Sequence, residues 1–118
     1  MTDRAHDYAS KARHYLANAT KLASESGGLS KAGEMVWGAL VFAAKAAAAR
    51  RGKKMKSEKV ISWAKREGLI SRDDAGAVAY ARALHGHFYE VELERDEFEN
   101  AKNSVEVVVD KILTEVGL

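Results

Sequence analysis

Met35-Val36-Trp37-Gly38-Ala39-Leu40-Val41-Phe42-Ala43-Ala44 is the stretch that decides the fold. Wound as a helix, this run is apolar on nearly every side. A helix of that kind touches neighbours on more than one face and must be central. The chain contains no proline and is rich in alanine, and both facts favour long uninterrupted helices.

The remaining elements follow outward from this core. Ser30 stands where it can cap the central helix, which is expected to run to about Arg51, with Gly52 and the lysines after it forming a basic loop. Upstream, a first helix is predicted from about Asp3 to Ser26, with Thr2 as its N-cap. Its apolar stripe, Ala5, Tyr8, Ala9, Ala12, Leu16, Ala19, Leu22 and Ala23, repeats at the helical period, and Gly27-Gly28 ends it. Downstream, Ser57 is expected to cap a short helix with Val60, Ile61 and Ala64 inward and Trp63 at an edge, stopped by Gly68. Ser71 and Asp74 have the spacing of a capping box, so a fourth helix begins near Arg72. It carries Ala75, Val78, Ala79, Arg82 and His85 on one side and extends to about Val91. The last helix, from about Arg95 to Val116, presents Phe98, Ala101, Val105, Val108, Ile112 and Val116, with Val109 and Leu113 beside them. No strand pattern with flanking turns is present. The expectation is an all-α protein, an antiparallel up-and-down four-helix bundle with one additional short helix, in which residues 1–118 form one domain.

Composition narrows the function classes. With 118 residues and no cysteine, the chain can bury a core of its own but offers no disulfide framework, thiolate metal site or cysteine nucleophile. The polar, mixed-charge start Met1-Thr2-Asp3-Arg4 is unlike a signal peptide. The longest apolar run, Met35 to Ala49, is broken by Lys45 and is too short to span a bilayer. A soluble, cytoplasmic protein with no membrane partner is expected. The net charge of +2 permits a nucleic-acid partner, but the distribution of charge is more informative. Arg50 to Lys59 concentrates Arg50, Arg51, Lys53, Lys54, Lys56 and Lys59 against Glu58, whereas Glu90 to Glu99 is strongly acidic. A dipolar surface of this kind can meet itself across a dimer or meet a partner of complementary charge.

The chemistry-bearing segment is Arg82-Ala83-Leu84-His85-Gly86-His87-Phe88-Tyr89, which reads R-x4-H-x-Y. Arginine holds a phosphate through a planar fork of donors, and histidine moves protons near neutral pH; held together, these abilities are what RNA cleavage without a metal requires. On an ideal helix, positions 82 and 87 lie about 140° apart, whereas 82, 85 and 89 share a face. His85 is therefore a rival or a helper to His87, unless Gly86 loosens the helix and brings His87 round. The plain alternative is that these side chains fill helix–helix contacts with their polar tips bonded. His6, His14, His85 and His87 lack zinc-ligand spacing, and neither a G-x-G-x-x-G nor a Walker sequence occurs, so no metal or cofactor is expected. Gly33 and Gly38 read as points of close helix packing, and Trp37 and Phe42 as core.

Along nearly its whole length the chain resembles the HEPN superfamily, the small helical domains named for higher eukaryotes and prokaryotes nucleotide-binding. The resemblance rests on a first helix of the type Asp7-Tyr8-Ala9-Ser10-Lys11-Ala12, a second of the type Ala32-Gly33-Glu34-Met35-Val36-Trp37, the R-x4-H segment late in the chain and a closing acidic-apolar helix. Leu84-His85-Gly86-His87-Phe88-Tyr89-Glu90 is also similar to an archaeal repeat-protein branch of that superfamily. The resemblance implies a metal-independent endoribonuclease whose dimer cleft brings together two copies of the motif, with Arg82 and His87 as the catalytic pair. In the branch paired with minimal nucleotidyltransferases as toxin and antitoxin, a tyrosine two residues after the histidine is adenylylated; here that position is Tyr89. The family often has a polar residue, commonly asparagine, directly after the arginine, where this chain has Ala83. That departure favours an alternative, a non-catalytic HEPN module that binds a nucleotide or a protein partner. A third reading is a purely structural homodimer. In the RNA reading, Arg50, Arg51, Lys53, Lys54 and Lys56 track phosphates and Trp63 offers a stacking platform; otherwise the loop is a solvated connection.

Overall fold

Asp3 opens the first helix: its carboxylate accepts the Ala5 backbone N–H at 2.9 Å, satisfying one of the donors that every helix start leaves free. The cap is thus Asp3 and not Thr2. In the computed structural model, which describes residues 3–25, 29–86 and 95–118, this helix is α1 (Arg4–Ala23). It is followed by α2 (Leu29–Arg50), α3 (Ser57–Arg66), a single 3₁₀ turn at Arg72–Asp74, α4 (Ala75–Gly86) and α5 (Arg95–Glu115). The described residues are all-helical and contain no strand.

Two expected starts move by a residue or so. Ser30 falls inside the first turn of α2, which begins at Leu29. Lys56 occupies the N-cap of α3 without a side-chain cap bond, leaving Ser57 as the first helical residue; Glu58 in that turn complements the positive end of the helix dipole. The capping box at Ser71 forms as expected, the Asp74 carboxylate accepting from the Ser71 N–H at 3.1 Å and from its hydroxyl at 2.9 Å. The helix ends are equally well determined. Gly68, at φ +76°, lets the Leu69 N–H reach back to the Ala64 carbonyl at 2.9 Å. Gly52, at φ +71°, does the same for Lys53 N–H and Ala48. A side chain rarely tolerates that left-handed backbone, so these glycines terminate α3 and α2.

α2 packs against α1, α3, α4 and α5, as its all-round apolarity requires. Val36, Ala39, Leu40, Ala43, Ala44, Ala46 and Ala47 are fully buried. At Gly38 the Tyr15 ring of α1 occupies the space a side chain would need, and the same ring meets Phe42 edge-on with centroids 5.1 Å apart. By length and composition alone, Lys31–Arg50, a longer stretch than the run Met35 to Ala49, is long and apolar enough to cross a membrane. Two-thirds of that stretch is buried against the other helices, which accounts for its apolarity.

The inward faces of α1 and α5 are those predicted, with Phe98, Val105, Val108, Val109, Ile112 and Leu113 buried in α5. Lys102 is buried with them, its ammonium donating to the Thr20 hydroxyl at 2.9 Å. The face of α4 is corrected: Val78, Ala81 and Leu84 enter the core, while Ala75 and Ala79 face solvent. Trp63 is also corrected, being buried in α3 at 4% exposure and not at an edge. The expected continuation of α4 to Val91 lies outside the described residues.

Candidate functional site

Trp37 is the floor of the candidate site. It lies on α2, only 5% exposed, and two side chains from successive turns of α4 rest on its indole. The Arg82 guanidinium sits over the ring at 5.6 Å, and the His85 imidazole stacks on it at 5.4 Å with 21° between the planes. Positions 82 and 85 lie one turn apart on one helix face, which is why a single indole accommodates both. Arginine over an indole gains a cation–π attraction, and its flat guanidinium makes the stacking geometry specific.

Each of these groups also has an acidic partner. The Arg82 Nη2 donates to Glu58 Oε2 of α3 at 3.3 Å, an exposed pair of low energetic weight. Arg82 Nε is buried with no hydrogen-bond partner among the described residues. His85 Nδ1 lies 2.8 Å from Glu34 Oε2, and Glu34 stands one turn before Trp37 on α2. A carboxylate can only accept, so this contact puts a proton on Nδ1. The result is a patch in which an arginine, an oriented imidazole and two carboxylates surround an indole. It can bind an anion through Arg82 once Glu58 yields, and exchange a proton through His85.

Of the predicted catalytic residues, Arg82 and His85 are brought together; His87 lies outside the described residues, as does the modification candidate Tyr89. Glu34 and Glu58 were not singled out by sequence reasoning. The signal for Glu34 was its i, i+3 relation to Trp37, which places both on one face of α2.

The predicted RNA-binding cations divide into two groups. Arg50 is tied down, its Nε donating to the Val116 carbonyl at 3.2 Å and its Nη1 pairing with Asp3 at 3.3 Å. A hydrogen bond from His6 holds the Asp3 carboxyl below the ordinary carboxylate range. Arg51 pairs with Glu67 at 3.1 Å and covers the Trp63 ring at 5.7 Å, so Trp63 is closed to an incoming base. Lys53, Lys54 and Lys56 are exposed. Lys53 and Lys54 line an open hollow with Arg4, Ala49 and Gly52. Ala49 stands twelve residues beyond Trp37, which at helical rise puts the hollow about 18 Å along α2 from the indole.

Among the described residues, no group of three or more histidines and carboxylates is placed to hold a metal ion. The chain matches no protein-family model and no curated protein sequence.

Proposed function

We propose that the chain is a HEPN-like domain, an antiparallel four-helix bundle that cleaves RNA without a metal at a cleft between two copies. The carrying observation is the shared seat of Arg82 and His85 on Trp37, which supports a phosphate anchor and a proton-transfer group acting side by side. In this reading one imidazole, from His85 or His87, takes the proton of the ribose 2′-hydroxyl. The 2′-oxygen then forms a bond to phosphorus, the bond from phosphorus to the 5′-oxygen breaks, and a second imidazole protonates the departing oxygen. The products are a 2′,3′-cyclic phosphate and a 5′-hydroxyl. Arg82 neutralises the charge that builds on the non-bridging oxygens. Lys53, Lys54 and Lys56 hold the strand outside the cleft, and a nucleotidyltransferase partner silences the protein by adenylylating Tyr89.

The test is cleavage of a labelled RNA in EDTA by wild-type protein and by the Arg82→Ala, His85→Ala and His87→Ala variants. Loss of about 100-fold or more on removing Arg82 and one of the histidines, with folding intact, is the expected result. Cleavage that survives unchanged in all three variants overturns the assignment. A second reading, a non-catalytic module that binds a nucleotide, is favoured by Glu58 already occupying the Arg82 guanidinium and by Ala83 in place of a polar residue. It predicts a nucleotide-dependent rise in melting temperature with no RNA turnover.

A further inference from the structure

We infer that Glu34 is a positioning residue for His85, fixing its imidazole so that Nε2 is the proton-accepting atom beside the Arg82 guanidinium. This deepens the proposed function and rests on it for its catalytic meaning, but it makes a claim about the free protein that can be measured alone.

Two independent constraints act on the imidazole. The Glu34 contact at 2.8 Å fixes which nitrogen carries the proton, because two bare acceptors would repel at that distance. The near-parallel stack on Trp37, with 21° between planes, fixes the plane of the ring. The bond alone would leave the ring free to turn about it, and the stack alone would permit either ring orientation. Together they define one pose, in which Nδ1 points to α2 and Nε2, on the other side of the ring, points away from the carboxylate. No described residue bonds Nε2, and the His85 side chain is 48% exposed. Arg82 lies one turn away on the same indole. A phosphate held by Arg82 and a base at His85 would then share one indole, the proximity that proton transfer requires. A carboxylate that holds an imidazole in one tautomer contributes through geometry and through stabilising the cation formed in the reaction. Among the described residues, Arg82 and His85, at a spacing of three, form such a pair.

The experiment is a long-range proton–nitrogen NMR correlation on uniformly labelled protein, for wild type, Glu34→Gln and Glu34→Asp, assigned with His85→Ala and joined to RNA cleavage in EDTA. The expected wild-type result is an Nδ1-protonated, Nε2-bare His85 ring whenever the imidazole is neutral. Glu34→Gln should give a mixture of tautomers and lower kcat by about tenfold or more with KM little changed, and Glu34→Asp should recover part of both. An Nε2-protonated ring in the wild type, or a tautomer that Glu34→Gln leaves unaltered, overturns the positioning role whatever cleavage shows. The expected tautomer with no cleavage by any form upholds the positioning and overturns the ribonuclease reading.

Discussion

At the scale of single residues, Asp74 shows how much one side chain does here. It is 8% exposed, closes the capping box with Ser71, and receives the Lys111 ammonium of α5 at 2.8 Å. Burial acts to raise its pKa, but the bonds from Lys111 and Ser71 outweigh it and hold the carboxyl below the ordinary range. The ionised form is therefore favoured in the fold. Its contribution is complete above the unfolded value near 4 and is lost as pH falls through the lower folded value. Asp74→Ala should cost about 1–2 kcal/mol at pH 7. The gap to wild type, followed by urea denaturation, should narrow below about pH 4; a gap that stays constant to strongly acid pH would show that the carboxylate charge contributes nothing. The capping box was legible in the sequence because both halves are local. Lys111, thirty-seven residues away, was not, and neither was Glu34, fifty-one residues from His85. Local spacing carried Arg82 and His85 into view, but the partners that orient them arrive only with the fold.

Helices as elements were legible to within a few residues, because period and glycine stops are local signals. The face of α4 was not. Alanine occupies positions 75, 77, 79, 81 and 83, every second residue, so alanine marks each side of the helix equally. Leu84 and Val78, both buried, settle which side turns inward. The α1–α2 contact gives a prediction at this scale. A Cβ on Gly38 would lie 2.7 Å from Tyr15 Cδ2, and the ring is held against Phe42. Alanine has the better helix propensity by up to about 1 kcal/mol, but overpacking costs about 1–3 kcal/mol. Gly38→Ala should therefore lower stability by about 1 kcal/mol. Gly76, also helical, has nothing within 4 Å of the same added atom, so Gly76→Ala should raise stability by about 0.5–1 kcal/mol. Opposite shifts in the denaturation midpoint confirm this packing; shifts of the same sign would mean that Tyr15 yields freely.

Across the whole molecule, the all-helical class followed from one greasy decapeptide, because a helix apolar all round needs partners on every side and α2 has them. Charge was read less well, since the sequence counts cations without showing which are already neutralised. Arg50 and Arg51 hold parts of the fold together, whereas Lys53, Lys54 and Lys56 face solvent. If the molecule binds RNA along this loop, each exposed lysine that meets a phosphate releases about 0.7 counterion from a single strand. Removing one should flatten the dependence of log affinity on log salt by about that amount, with stability within about 0.5 kcal/mol of wild type. Arg50→Ala should do the reverse, lowering the melting temperature because it removes the bonds to Asp3 and to the Val116 carbonyl at once, with the salt slope hardly changed. Binding of a fluorescent single-stranded RNA at several salt concentrations separates the two behaviours. An Arg50 variant that flattens the slope as much as a Lys53 variant would mean that its intramolecular bonds give way to phosphate, and that the loop acts as one surface.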